Sequence, residues 1–397
     1  MAVVNADFYV RCYYYIPHRL QIPWITYTVL VDAHLIRVPW LPSFVPNLVC
    51  PFSEKITFTE RLQNTACSFV FVFILPLFFP DPAPEVLDNF RRYGDFDSLA
   101  ELESRSALWF LFTDDVVDSL RPMMPNMVHV GGLTVKRSTG ELLTDIRNFI
   151  DRAEKGVILV AFRSMVSSVS PRMVEKFSSA FGRLDGYRVV WKLNNSDGVK
   201  TTGQLPQNDL LAHRSVKLFI THCGSNGQFE AIYHAVPITG FPLFGDQFYN
   251  AGRLDHKGYG LSMNIHDFTA DQLVDNIHKI LADKSYTERV EKASEIFRSQ
   301  AQSPVERATF WIEHVCRFGG DHLRSAGNDL PLYSYLMLDI FAFTGTVFVI
   351  LLYVLYRLLE VIMNKCCGRR PTTSISSARR VEQLYRLLLQ CGLLTIH

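Results

Sequence analysis

Apolar runs that end abruptly in polar residues recur along the second half of the chain. One run covers residues 157–162, another covers 216–220, and a helical pattern follows each of them. A third run, 236–244, leads into Gly-Asp-Gln at 245–247. Apolar runs of this length that alternate with helices are typical of buried strands in a parallel sheet. The pattern therefore predicts an α/β domain whose strand ends carry polar residues along one edge of the sheet.

The turn after the second run predicts an anion-binding site. Residues 221–227 read Thr-His-Cys-Gly-Ser-Asn-Gly and lead directly into a helix. Free N–H groups and the dipole at the start of a helix favour phosphate there. His222 can add a donor or a positive charge, and Glu230 on the helix can accept hydrogen bonds from sugar hydroxyls. Two adjacent polar strand ends in an open α/β sheet predict a ligand crevice between them.

The order of residues from 219 to 247 closely resembles the signature of the UDP-glycosyltransferases, in its animal UDP-glucuronosyltransferase form. The pattern is Thr-His-x-Gly-x-Asn-Gly, followed by Glu, Val-Pro, Pro-Leu and Asp-Gln. The resemblance extends to Glu-Arg-Leu-Gln-Asn at 60–64 and to His-x-Gly-Gly-Leu at 129–133, which closes the first domain in the family. It implies two Rossmann-like domains of the GT-B type, with the N-terminal domain truncated, and one C-terminal transmembrane helix.

The resemblance assigns the diphosphate of a UDP-sugar to the turn after 216–220. His222, Asn226 and Gly227 are expected to hold the diphosphate, and Ser164 at another strand end is expected to assist them. Two alternatives stay open at this stage. Ser164 can instead cap the helix after its strand, and His222 can be structural. His213 and His234 are interpreted as structural residues.

The rest of the donor is assigned to four further residues. Glu230 is expected to bind the ribose hydroxyls, and Gln207 is expected to recognise the uracil edge unless it is only a turn residue. Asp246 and Gln247 are expected to bind the hydroxyls of the transferred sugar. The UDP-sugar is a co-substrate, so the resemblance implies no separate cofactor and no metal.

One residue resembles the catalytic pair of the family. Asp7, five residues before Cys12, matches the aspartate that orients a general-base histidine. In the family that histidine, the first strands and a signal peptide precede the aspartate, and none of them is found in this sequence. Loss of a general base lowers a rate by roughly 10²–10⁴-fold. We therefore expect donor binding without appreciable turnover, from either an incomplete enzyme or a truncated form.

A long apolar segment near the C-terminus predicts a membrane span. Residues 340–356 contain no charged side chain, and apolar character extends from 333 to 363, which is enough to cross a bilayer. Basic residues follow with no acid before Glu382, so the positive-inside rule predicts a cytosolic tail and lumenal domains. With the resemblance, this predicts a single-pass protein of the endoplasmic reticulum membrane. The shorter run at 67–79 is expected to be buried or to lie on the surface.

The composition of the chain argues against two classes of function, nucleic-acid binding and zinc binding. The net charge is +1, with 40 basic and 39 acidic residues, which gives no argument for nucleic acid. The eight cysteines include no CxxC pair, which argues against a zinc site.

The predicted function is transfer of a sugar from a UDP-sugar to a small lipophilic acceptor, and glucuronate is the sugar that the resemblance favours. The enzyme is expected to associate with itself or with related transferases. The alternatives are a glucose-preferring transferase and a noncatalytic donor-binding or regulatory subunit. The predicted organisation is a partial acceptor-binding domain at 1–133, a linker at 134–145, a UDP-sugar-binding domain at 146–331, a transmembrane region at 332–363 and a cytosolic tail at 364–397.

Overall fold

The chain divides into two units, Met1–Asp329 and Leu330–His397. The structure is a computed structural model. The finer division at 133, 145 and 363 stays a prediction. The residues that the structure describes are 1–5, 11–29, 37–39, 41–47, 52, 55–74, 89, 99–138, 142–162, 170–192 and 206–366.

The first unit contains two parallel sheets, and the first of them has four strands in sequence order. Its third strand, Leu-Trp-Phe-Leu, is buried along its whole length, which is why it reads as an unbroken apolar run. The strands are β1 (Ala2–Asn5), β2 (Trp24–Thr28), β3 (Leu108–Leu111) and β4 (Met127–His129). The α-helices in this part of the chain are α1 (Tyr15–Arg19), α2 (Phe58–Phe69) and α3 (Leu99–Ser104).

The second sheet has five parallel strands in the order β6-β5-β7-β8-β9. The sequence order reverses between β5 and β7, and such a reversal is where open α/β sheets bind ligands. The strands are β5 (Gly156–Ala161), β6 (Tyr187–Lys192), β7 (Val216–Thr221), β8 (Ile238–Gly240) and β9 (Gly260–Ser262). The helices are α4 (Thr144–Asp151), α5 (Pro171–Phe181), α6 (Gln207–Leu211), α7 (Ser225–Tyr233), α8 (Gln247–Lys257), α9 (Ala270–Ala282) and α10 (Lys284–Arg298).

Strand β8 is shorter than the apolar run 236–244 predicts. It lies between Pro237 and Pro242, and a proline has no N–H to donate to a sheet ladder. The chain therefore leaves the sheet soon after Gly240. As a result, Asp246 and Gln247 do not end a strand: Asp246 is the N-cap residue of α8, and Gln247 is its first residue.

Helix α11 (Pro304–Phe318) begins at the predicted capping box, in which Ser303 and Glu306 each accept a hydrogen bond from the other's backbone N–H. It ends at Gly319, whose φ is 71°. Although α11 follows the second sheet in sequence, its Ala308 and Val315 pack with residues of the first sheet. The core of the first sheet is thus completed by a helix from the far end of the unit.

The second unit contains α12 (Leu332–Tyr335) and α13 (Leu338–Cys366). Within the described ranges, the segment Leu338–Lys365 is the one helix long and apolar enough to cross a membrane, with a mean hydropathy of 2.2. It fits the single transmembrane helix expected from the sequence. The described part of the other apolar run continues α2 into a π-helical segment, Val70–Ile74, and about half of the Phe69 side chain is exposed, as on a surface-lying segment.

Candidate functional site

The turn between β7 and α7 has a backbone conformation that depends on residues 222–224. Cys223 adopts a left-handed conformation with a φ of 63°, and Asn250 Nδ2 donates a 2.9 Å hydrogen bond to its carbonyl oxygen. The His222 side chain is 7% exposed, and its Nδ1 lies 3.3 Å from Thr221 Oγ1. A Cβ atom at Gly224 would lie only 2.5 Å from His222 Nε2. Glycine at 224 therefore leaves the imidazole its place in the turn.

Helix α7 starts directly after this turn. Its N-cap residue is Gly224, which has no side chain to cap the first N–H groups of the helix. Asn226 is exposed in the first turn, whereas Gly227 is buried. A Cβ atom at Gly227 would lie 3.3 Å from Phe219 Cε1 and 3.6 Å from Gln207 Nε2. Gly227 thus allows α7 to pack closely on β7 and on α6, and Asn226 is left facing solvent.

Gln207 and Glu230 form a direct pair. Gln207 Nε2, at the start of α6, donates a 2.7 Å hydrogen bond to Glu230 Oε2 in the second turn of α7. Burial raises the pKa of Glu230 above its ordinary value, and the hydrogen bond from Gln207 partly offsets that rise. The two residues expected to bind the uracil and the ribose are therefore adjacent.

Asp246 lies beside the start of α7. Its Oδ2 accepts hydrogen bonds from Asn250 Nδ2 at 2.7 Å and from Ser225 Oγ at 3.3 Å. Gln247 is 3% exposed, and its Oε1 accepts from the backbone N–H groups of Leu243 at 2.8 Å and Phe244 at 3.3 Å. The carbonyl of Gln247 therefore shapes the loop before α8, while the Asp246 carboxylate is next to the first residue of α7.

Two histidines interpreted as structural have local partners. His234 Nε2 lies 3.0 Å from Asn208 Oδ1, and Asn208 Nδ2 donates to the carbonyl of Lys136 in the predicted linker. Burial and the nearby charge of Arg298 lower the pKa of His234 to about 4, so the ring is neutral at pH 7. His213 Nε2 lies 3.3 Å from Asp151 Oδ1.

A comparison with known families identifies the family to which the chain belongs. The sequence model of the family described as UDP-glucoronosyl and UDP-glucosyl transferase matches residues 2–372. The chain belongs to this family. The UDP-glycosyltransferase signature read from residues 219–247 is therefore confirmed at the level of the family.

Relatives whose names specify different sugars match this chain almost equally well. UDP-glucuronosyltransferase 1A8 from Rattus norvegicus is 33% identical over 343 residues, which cover 84% of this chain and 63% of that protein. UDP-glucosyltransferase 2 from Dactylopius coccus is 32% identical over 360 residues, which cover 86% of this chain and 68% of that protein. The chain thus spans 63% of the length of the first of these relatives.

Solved structures support the fold of this chain. The glycotransferase of kitacinnamycin matches with a TM-score of 0.56 at 17% identity, over 79% of this chain and 75% of that chain. Phytolacca americana UGT2, complexed with UDP-2fluoro-glucose and pterostilbene, matches with a TM-score of 0.52 at 18% identity, over 79% of this chain and 74% of that chain. The two parallel-sheet α/β domains are therefore of the GT-B type, as expected from the sequence.

The structure brings two of the predicted donor residues into direct contact and places others around the start of α7. Gln207 contacts Glu230, and Asp246 contacts the first residue of α7, next to the turn that carries His222. Asp7 and Ser164 lie outside the described residues, so their expected roles stay predictions.

Sequence reasoning missed Asn250 and Arg253. The signal available was their spacing of four and seven residues after Asp246, which places all three on one face of α8.

Glu230→Gln tests whether the half-buried, ionised carboxylate of Glu230 lowers the stability of the folded protein. Because the folded-state pKa is raised, the ionised form is penalised, and stability is lost as pH rises from the ordinary value of 4.5 through the folded-state pKa. We expect Glu230→Gln to raise the melting temperature at pH 7 and to change it little at pH 4.

The matched control is Glu288→Gln, the same chemical change at an exposed position on α10. It is expected to leave the melting temperature unchanged at both pH values. A lower melting temperature of Glu230→Gln at pH 7 would contradict the prediction.

Proposed function

We propose that the chain is a glycosyltransferase that binds a UDP-sugar at the reversal between β5 and β7 and transfers the sugar to a small lipophilic acceptor. The observation that carries this proposal is the Gln207–Glu230 pair, 2.7 Å apart, beside the turn of His222. The amide of Gln207 can form hydrogen bonds with the edge of a base, and the adjacent carboxylate of Glu230 can accept hydrogen bonds from the two ribose hydroxyls. Family membership supports the same ligand.

The chemistry that such a site must supply follows from the bond that breaks. The acceptor hydroxyl attacks the anomeric carbon, its proton passes to a base, and UDP departs with the electron pair of the C–O bond. The growing charge on the diphosphate needs fixed donors. We assign that role to His222 and to the first N–H groups of α7, with Ser164 assisting. In the family the base is a histidine oriented by the aspartate that Asp7 matches; this sequence lacks that histidine, so we expect this chain to bind the donor with little turnover.

The remaining subsites follow from the same arrangement. Asp246 accepts hydrogen bonds from the hydroxyls of the transferred sugar, and Gln247 contributes its amide nitrogen while its carbonyl holds the loop at 243–244. We propose glucuronate as the first sugar to test, because relatives named as glucuronosyltransferases match over most of the chain. The relative named UDP-glucosyltransferase 2 makes glucose the second.

A binding and transfer experiment separates the proposed transferase from a donor-binding subunit. The full chain, purified in detergent, is titrated with UDP and then incubated with radiolabelled UDP-glucuronate or UDP-glucose and a small phenol. The transferase is supported if the wild-type chain binds UDP and transfers the sugar, and if His222→Ala abolishes the transfer. Binding without transfer, the result expected without the family's base histidine, supports either an incomplete enzyme or the noncatalytic alternative, and the absence of UDP binding contradicts every one of these interpretations.

Gly224→Ala tests the donor site without removing any polar group. The added Cβ would meet His222 Nε2 at 2.5 Å, so the imidazole must leave its position. Loss of one charge-assisted hydrogen bond to the diphosphate predicts UDP binding weaker by about tenfold or more in a calorimetric titration.

The matched control is Gly182→Ala, where the added Cβ meets the Ser178 carbonyl at 3.4 Å, an ordinary contact. Its UDP affinity is expected to equal that of the wild type. Equal UDP affinity of Gly224→Ala and the wild type would remove His222 from the proposed site.

We propose that α13 anchors the protein in the endoplasmic reticulum membrane with the two sheets in the lumen. The uncharged stretch at 340–356 and the basic residues behind it support this orientation. In sealed microsomes, added protease is expected to shorten the protein only by its C-terminal tail. Digestion of the whole chain without detergent would reverse the proposed orientation.

A further inference from the structure

A buried polar cluster joins the first sheet to helix α8 of the second. Asp118, between β3 and β4, is 2% exposed, and Tyr249 and Arg253 on α8 are 4% and 5% exposed. Tyr249 donates its hydroxyl hydrogen to Asp118 Oδ1 at 2.7 Å, and Arg253 Nη1 lies 3.0 Å from the same oxygen. Arg121 donates to the Tyr249 hydroxyl at 2.7 Å. One carboxylate of the first sheet thus fixes two side chains of α8.

The cluster continues from Arg253 towards the proposed donor site. Arg253 Nη2 donates a hydrogen bond to Asn250 Oδ1. The amide nitrogen of Asn250 then donates to the Cys223 carbonyl at 2.9 Å and to Asp246 Oδ2 at 2.7 Å, and it lies 3.2 Å from Ser225 Oγ. A continuous series of contacts therefore runs from Asp118 to Asp246 and to the β7–α7 turn.

Arg253 fixes which way the Asn250 amide points. A guanidinium can only donate, so the Asn250 oxygen must face Arg253 and the nitrogen must face the other side. If the amide turned over, its oxygen would oppose the Cys223 carbonyl and the Asp246 carboxylate, both of which are acceptors. The hydrogen bond from Arg253 therefore selects the orientation that binds Asp246.

The charges of the cluster keep Arg253 in this position. Burial opposes ionisation of Asp118, but the guanidinium groups of Arg121 and Arg253 hold the pKa of its carboxyl well below its ordinary value. Asp118 is therefore ionised at neutral pH. Arg253 is held by Asp118 on one side and by the ring of Tyr249, 4.8 Å from its Cζ, so its fork has little freedom to leave Asn250.

We propose that Asp118, Arg253 and Asn250 are positioning residues for the transferred sugar of the UDP-sugar. Asp118 acts through Arg253, Arg253 orients Asn250, and Asn250 sets the carboxylate of Asp246 that binds the sugar hydroxyls. The sugar subsite beside the second sheet is thereby organised by a residue between two strands of the first sheet. This inference rests on the proposed donor site. It adds that the contact between the two sheets controls binding of the sugar part of the donor.

The test compares how UDP and UDP-glucuronate bind to the full chain in detergent, by calorimetric titration. The two variants are Asp118→Asn, which removes the charge that holds Arg253, and Arg253→Lys, which keeps a cation but loses the fork. We expect the affinity for UDP-glucuronate relative to UDP to fall about fivefold or more in both variants. The affinity for UDP itself is expected to change by less than about twofold.

Tyr259→Phe is the matched control. The Tyr259 hydroxyl donates to the Val116 carbonyl at 2.8 Å, so this change removes another hydrogen bond between the same two parts of the chain without touching the series. Its UDP-glucuronate to UDP affinity ratio is expected to equal that of the wild type. Melting temperatures identify any variant that does not fold, and the other variant then decides.

Three results would overturn the inference. An unchanged affinity ratio in the folded variants would reject the positioning role and leave the proposed donor site standing. An equal fall in Tyr259→Phe would show a general loosening between the sheets. Absence of UDP binding by the wild type would reject the proposed function and this inference with it.

Discussion

The left-handed backbone of Cys223 is the constraint on which the proposed donor site of the second sheet depends. A residue with a Cβ atom pays roughly 1–2 kcal/mol for this conformation, so neighbouring contacts must hold it there. Asn250 binds the carbonyl of Cys223, and the thiol fills a space beside Gly240, where a Cβ atom would collide with it. Burial raises the pKa of the thiol, so Cys223 is a neutral, space-filling side chain in this turn.

Helix α7, which follows this turn, also contributes to the contact between the two sheets. Phe229 on α7 packs with Phe112, which follows β3, and with Phe297 on α10. Gly131 and Gly132 lie under these rings, and a Cβ atom at either would strike them. The Gly-Gly pair of the His-x-Gly-Gly-Leu sequence therefore has a steric role: it lets the last residues of the first domain approach the helix that carries Glu230.

The sequence predicted those elements that depend on local patterns or on the family signature. The strands β5 and β7 follow from their apolar runs, and the start of α11 follows from its capping box at Ser303 and Glu306. The length of β8 was wrong because the two prolines were not weighed against the apolar run. Asn250 and Arg253 were missed because their importance depends on Asp118, which is more than a hundred residues away in the chain. Pairings over such distances leave no periodic trace in one sequence.

The packing of helix α11 has a consequence for producing the part of the chain with the second sheet alone. Its residues Ala308 and Val315 belong to the same buried cluster as Ile25 and Leu108, on strands at the other end of the unit. A fragment that begins at the linker and keeps α11 would carry an apolar helix face without its partner, and such a face promotes aggregation. A fragment cut before Ser303 would instead leave the first sheet uncovered. Helix α11 follows the second sheet in sequence but packs on the first, so a single cleavage point cannot yield two well-packed halves.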